Sequence, residues 1–141
     1  MPAGTSSLRR VFDRTGINND AGVNEQFVIA LSTFPDGETA RKISRELVDS
    51  ALVACANIMP AVESIYYWKE KVETSGESLA IFKLTAARFS EFESRLRELH
   101  PYDVPEIVRL NIAGGSADYL RWLGESCSRS SEHDVGTLPQ F

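Results

Sequence analysis

The chain has 141 residues, a mass of 15.6 kDa and a composition that is 43% hydrophobic and 25% charged. This suits one globular domain with a buried core and excludes an enzyme with separate cofactor and substrate modules. Its formal net charge of -5 argues against nucleic acid as a partner. Because the sequence contains neither a long apolar run nor an apolar secretory signal, we expect no membrane span and a cytoplasmic location.

The two ends of the chain are polar and lack a regular apolar period. Residues 1–24 are predicted to form a flexible arm, in which Arg9, Arg10 and Arg14 faintly resemble an organelle transit peptide. Residues 126–141 are predicted to form a flexible tail. A single domain is therefore expected at residues 25–125.

The first half of this domain predicts a strand, a helix and a long second strand. Gln26–Thr33 is a compact apolar and β-branched run, typical of a buried strand. Asp36 is the expected N-cap of a helix whose apolar residues recur at steps of three and four. The stretch Cys55–Glu73 is rich in β-branched and aromatic residues, and Pro60 within it suits a sheet edge or a bulge. A turn is expected at Thr74–Gly76.

The second half predicts a hairpin partner, a helix, a fourth strand and a terminal helix. Leu79–Thr85 is expected to complete a hairpin with Tyr66–Val72, and His100–Pro101 to stop the helix that follows. Glu106–Ile112 is the fourth strand, and Ser116 caps the last helix. The order β-α-β-β-α-β plus one helix predicts a ferredoxin-like α+β fold. In that fold an antiparallel sheet carries both main helices on one face.

The predicted strands are apolar on both faces. In the first strand, Ile29 and Leu31 alternate with Val28 and Ala30, so neither set is polar. A four-stranded sheet in a domain of this size cannot cover its second face by itself. We therefore expect a homo-oligomer, in which the long strand from Cys55 extends past its own sheet to pair with a neighbour.

Two groups of side chains are candidates for binding. The segment HPYDVPE, residues 100–106, holds an imidazole, a phenol and two carboxylates between two prolines, which suits either a rigid binding loop or a simple helix stop. Tyr66 and Trp68 share one face of the long strand, where they serve either as anchors between subunits or as ligand contacts.

Lys83 is a charge within an otherwise apolar strand. It needs a partner, for which Glu106 and Glu63 are the candidates, and it indicates either an anion site or an extended lysine at the sheet edge.

Metal and catalytic motifs are sparse. Cys55 and His100 are the candidate metal ligands, with copper or zinc the ions that a thiolate and an imidazole suit, although Cys55 also fits a small buried hydrophobic residue. The two cysteines, Cys55 and Cys127, are expected to be free thiols. Because no nucleophile and base can be paired, we do not expect an enzyme.

Four segments in order, CANIMPAVESIYYWKEKVE, FKLT, HPYDVPEIV and ADYLRWL, closely resemble the CutA divalent-cation tolerance family over about residues 26–125. The resemblance implies a ferredoxin-like homotrimer linked to copper and other divalent cations, with no established catalytic activity. It implies metal contact at Cys55 and His100. The inter-subunit cleft that it implies contains Trp68, Lys83, Tyr102 and Glu106, to which we add Tyr66. Some bacterial members have a cysteine where this chain has Ser32, which argues against a site of several thiols.

Two functions remain open at this stage. In the first, a trimer binds a divalent metal, Cu(II) being favoured, at His100 with help from Cys55 or a carboxylate. In the second, the trimer is a signalling module similar to the PII proteins, and its cleft binds a small anionic effector. The first is the main prediction and the second is the alternative; Lys83 discriminates between them, because a cation repels a metal ion and attracts an anion.

Overall fold

The computed structural model describes residues 25–130, so the predicted arm at 1–24 and most of the predicted tail lie outside the described residues. Four strands and three α-helices follow one another in the expected order, which confirms the α+β prediction. They are β1 (Phe27–Phe34), α1 (Gly37–Asp49), β2 (Cys55–Trp68), β3 (Lys71–Thr85), α2 (Phe89–Leu99), β4 (Val108–Asn111) and α3 (Ala117–Ser128).

The strands form one antiparallel sheet in the order β2-β3-β1-β4. Helices α1 and α2 pack on one face, where every second residue of β1 and β3 is buried. Phe82 of β3 meets Phe92 of α2 edge to face, with ring centroids 5.2 Å apart. The main core therefore lies between this face and the two helices.

The ends of α1 and α3 follow the expected capping chemistry. The backbone N–H of Thr39 donates to Asp36 Oδ1 at 2.7 Å. This hydrogen bonding lowers the pKa of the Asp36 carboxyl, because it stabilises the ionised form. Ser116 caps α3 in the same way by accepting from the N–H of Tyr119 at 3.4 Å.

Among the described elements, α3 alone covers the opposite face of the sheet, and it does so at one end. There Gly124 of α3 faces Phe27 and Glu25: a Cβ at this position would lie 3.6 Å from Phe27 Cε1 and 2.6 Å from Glu25 Oε1, the end of a flexible side chain that can move aside. The rest of this face, which we call the open face, presents apolar side chains with no described element over them. They are Leu31, Met59, Leu79, Ile81, Val108 and Leu110.

The predicted turn at Thr74–Gly76 is wrong. These residues lie inside β3, paired with β2, and the chain reverses at Lys69–Glu70, where Trp68 pairs with Lys71. The predicted pairing of Leu79–Thr85 with Tyr66–Val72 is also wrong, because Leu79–Lys83 pairs with Cys55–Met59. Both turn residues have positive φ, 49° and 67°, a conformation usually filled by Asn or Gly, so the composition carried no turn signal.

Three smaller details complete the fold. The pairing of β2 with β3 shifts register between Met59 and Val62, and β2 is an edge strand, which confirms the interpretation of Pro60. Strand β4 is shorter at both ends than the predicted fourth strand. Helix α3 continues three residues past the expected boundary at 125, because the buried side chain of Cys127 extends the spacing of Leu120 and Leu123.

Candidate functional site

The candidate site residues fall into separate places within one chain. Lys83 and Cys55 are neighbours across β3 and β2, on the face away from α1 and α2. His100 and Tyr102 lie at the far end of β1. The remaining candidates are on the surface: Tyr66, Trp68 and Glu106 are all exposed.

Lys83 is half-buried and contacts α3. Its ammonium donates to the hydroxyl of Tyr119 at 3.4 Å and lies 5.6 Å from the centre of that ring. Neither expected partner, Glu106 nor Glu63, is bound: among residues 25–130 Lys83 belongs to no ion pair. Within residues 25–130, this cation therefore has no carboxylate counter-charge.

Cys55 completes this cluster. Its sulfur lies 3.7 Å from the hydroxyl of Tyr119, and both cysteines are free thiols, as predicted. Burial, and then the contact with Cys55, raise the pKa of Tyr119 to about 12, so the phenol is neutral at physiological pH. Tyr119 was not among the candidate residues of the sequence, because its contact with Lys83 depends on how α3 crosses the sheet.

His100, at the junction of α2 and the following loop, has contacts to both its ring and its two ring nitrogens. Its ring is stacked on Phe34 with centroids 4.7 Å apart and lies 4.9 Å from the ring of Tyr102. Its Nε2 lies 2.8 Å from the carbonyl oxygen of Thr33, and its Nδ1 accepts from the N–H of Tyr102 at 3.1 Å. Burial lowers the pKa of His100, since the charged form loses solvation there.

Tyr102 extends this arrangement to the hairpin. Its hydroxyl donates to Glu77 Oε2 at 2.7 Å, and burial, followed by that carboxylate, raises the pKa of the phenol. Tyr66 lies near enough to raise the pKa of Tyr102 further. Sequence reasoning missed Glu77, because finding it requires the register of β3, which the misplaced turn concealed.

Trp68 stands next to the hairpin turn. Its side chain is 55% exposed, and the ammonium of Lys69 lies 5.9 Å from the centre of its ring. Tyr67 and Val72 nearby are also exposed. An aromatic and apolar surface of this kind on a projecting hairpin is typical of an interface.

Residues 25–130 of one chain do not assemble a metal site. Among the described residues, no three His, Cys, Asp or Glu side chains are grouped so as to hold an ion. Cys55 is level with Ile29 on β1, whereas His100 binds the carbonyl of Thr33, four residues further along. That separation is about 13 Å along the strand. The ring of His100 also packs on Phe34, on the side of the helices, so the two candidate ligands lie on opposite faces.

Comparison with known proteins gives a consistent result. The family model described as CutA1 divalent ion tolerance protein matches residues 28–126. The "Divalent-cation tolerance protein CutA" of Thermus thermophilus is 45% identical over 98 residues, 70% of this chain and 95% of that protein. "Protein CutA 1, chloroplastic" of Oryza sativa is 35% identical over 103 residues, 73% of this chain and 58% of that protein. The crystal structure of CutA1 from Pyrococcus horikoshii aligns with a TM-score of 0.69 at 38% identity, covering 72% of this chain and 99% of that one.

Within residues 25–130, no helix is long and apolar enough to cross a membrane.

Proposed function

The chain belongs to the CutA1 divalent ion tolerance family, and from this premise we propose that it acts in divalent-cation tolerance as a homotrimer that binds a small anion between subunits. The open face supports the assembly. The position of Lys83 and the separation of the candidate cleft residues support a ligand bound between subunits.

The open face supports assembly. Leu110 on this face is 51% exposed, and Val108 and Met59 beside it are also exposed. Several exposed apolar side chains side by side on a sheet favour burial against another chain, and identical chains assemble most often with closed symmetry. The number three comes from the family resemblance. The free edges of β2 and β4 offer backbone groups for pairing between neighbours.

The observation that carries the anion proposal is Lys83. A half-buried ammonium on an apolar face, which within residues 25–130 contacts the neutral Tyr119 and forms no ion pair, favours a negative counter-charge. Closing neighbours over the open face would strengthen that preference by removing water. An anion bound there would accept from Lys83, and the hydroxyl of Tyr119 and the thiol of Cys55 lie beside it.

The other cleft residues are proposed to come from neighbouring subunits. Trp68 and Glu106 are exposed, and Trp68 pairs with Lys71 at the opposite end of the β2–β3 hairpin from Lys83. A cyclic assembly brings different patches of identical chains together. The competing arrangement has the neighbour's Glu106 carboxylate neutralising Lys83. In that case the cleft would bind no added anion.

Cu(II) binding at His100 and Cys55 is the other function that the resemblance implies, and nothing in the geometry of residues 25–130 favours it. We also propose that the protein has no catalytic role and is cytoplasmic. The first follows the tolerance names of its relatives; the second rests on the sequence, although the name of the rice relative assigns that protein to the chloroplast.

Isothermal titration calorimetry with inorganic phosphate, pyrophosphate and citrate tests the anion proposal. We expect saturable binding of at least one probe, and a loss of about tenfold or more in affinity for Lys83→Met. The control is Lys42→Met, which removes an exposed lysine from α1. Absence of binding to the wild-type protein, or equal binding by both variants, would refute the proposal.

A further inference from the structure

His100 occupies a closed position at the end of the sheet. Its exposed fraction is 7%, because Phe34 stacks on its ring and Tyr102 lies against it. It also ends α2, with its backbone N–H donating to the carbonyl of Leu96 at 2.9 Å. An incoming ligand would have to reach the ring past the loop that His100 itself begins.

The hydrogen-bond partners fix the state of the imidazole. A carbonyl oxygen only accepts, so Nε2, which lies 2.8 Å from the oxygen of Thr33, must carry the ring proton. A backbone N–H only donates, so Nδ1, 3.1 Å from the nitrogen of Tyr102, must be the unprotonated nitrogen. The ring is therefore the neutral Nε2–H tautomer, with both nitrogens in use.

Half of this geometry matches that of a metal-binding histidine. Such residues commonly donate the proton of one nitrogen to a carbonyl, as Nε2 of His100 does, and bind the metal through the other. The other nitrogen here holds the N–H of Tyr102. A metal at Nδ1 would displace that N–H and leave a backbone donor without its partner.

We propose that His100 is a positioning residue and that it does not bind the divalent cation. Its two hydrogen bonds fasten the loop 100–106 to the last residues of β1. The fastened loop brings the hydroxyl of Tyr102 to Glu77 on β3 at 2.7 Å, so one imidazole links β1, the loop and the hairpin. This goes beyond the anion proposal and uses different residues, so either proposal can fail while the other stands.

The first test observes the imidazole directly. The sequence contains two histidines, so His133→Asn leaves His100 as the only imidazole in the full-length chain. We expect its ¹⁵N NMR signals to show the neutral Nε2–H tautomer and to stay unchanged in excess Zn(II). A shift of the Nδ1 signal upon addition of Zn(II) would overturn the proposal.

The second test separates the two hydrogen bonds with matched variants. His100→Asn keeps an acceptor close to the position of Nδ1, whereas His100→Gln keeps a donor close to the position of Nε2. We expect the amide hydrogen of Tyr102 to exchange about tenfold faster in His100→Gln than in the wild type, and His100→Asn to restore much of the protection. Equal exchange in all three proteins would contradict the positioning role.

Metal affinity is measured on the same variants, because faster exchange in the loop does not by itself show whether His100 also binds a metal ion. We expect Cu(II) affinity, measured by calorimetry against a weak chelator, to differ less than about twofold between the wild type and His100→Asn. If the wild type binds Cu(II) saturably and His100→Asn, with the loop still protected, does not, then His100 is a ligand and the proposal is wrong.

Discussion

The sequence identified Lys83 as a candidate site residue, but it did not reveal which residues Lys83 contacts. Its charge within an apolar strand identified it as a candidate, and the structure confirms that it points away from the main helices. Its partner was not predictable, because Tyr119 is distant in sequence and meets Lys83 only through the packing of α3. Glu77 was not predicted as the partner of Tyr102 for the same reason, because a hydrogen bond between residues on different elements leaves no local pattern in the sequence.

Replacing Lys83 with Met tests the cost of its half-buried charge. Without added anions, we expect Lys83→Met to raise the free energy of unfolding by about 1 kcal/mol, because the charge is removed and the stem is kept. Urea unfolding at fixed protein concentration measures this, with Lys42→Met as the control that should change little. Strong destabilisation by Lys83→Met alone would mean that a neighbour's carboxylate already pairs with Lys83.

Tyr119 predicts a dependence of stability on alkaline pH. Its pKa is raised to about 12 from the ordinary value of 10.0, so the folded chain holds the phenol proton more tightly than the unfolded chain. The stabilisation is complete below pH 10 and is lost as pH rises from 10 towards 12. Thermal unfolding across this range should show a shallower decline for Tyr119→Phe than for the wild type. Identical declines would contradict this interpretation.

At the scale of elements, the helices were predicted better than the hairpin. Regular apolar spacing and the cap at Asp36 located α1, and spacing with a proline stop located α2. The β2–β3 turn was missed because Lys69 and Glu70 adopt left-handed backbone conformations without Asn or Gly. The Ser-Gly pair that resembled a turn is accommodated within β3, where a Cβ on Gly76 would meet nothing within 4 Å.

The hairpin turn therefore offers a stabilising substitution. Glu70→Gly should raise the free energy of unfolding by about 1 kcal/mol, because glycine adopts a φ of 67° without steric cost. Thr74→Gly is the matched control, since it places glycine inside the same hairpin on extended strand and should destabilise it. Urea midpoints that move in the same direction for both variants would contradict the assignment of the turn.

For the molecule as a whole, strands with two apolar faces led to the expectation of an oligomer. Within residues 25–130, one face of the sheet is largely uncovered. The predicted cleft could not be located from the sequence, because its residues lie on different elements and, apart from Tyr66 near Tyr102, do not meet within one chain. Lys83 lies beneath α3, Tyr102 binds Glu77, and Trp68 stands at the hairpin turn. We propose that neighbouring copies bring these residues together.

A charge on the open face should weaken this assembly. Leu110→Glu adds a carboxylate to a residue that we propose lies between subunits, where burial without a partner is costly. We expect dissociation at concentrations where the wild type remains assembled, as measured by light scattering after size-exclusion chromatography. Ala87→Glu places the same charge on an exposed residue before α2 and should leave the assembly intact.

The mass of the full-length protein in solution tests the central claim most directly, because the shared cleft requires neighbouring copies. Sedimentation equilibrium at micromolar concentration should give three times the 15.6 kDa mass of one chain. A mass equal to that of a single chain would mean that the open face remains exposed to water, and it would contradict both the homotrimer and the anion site between its subunits.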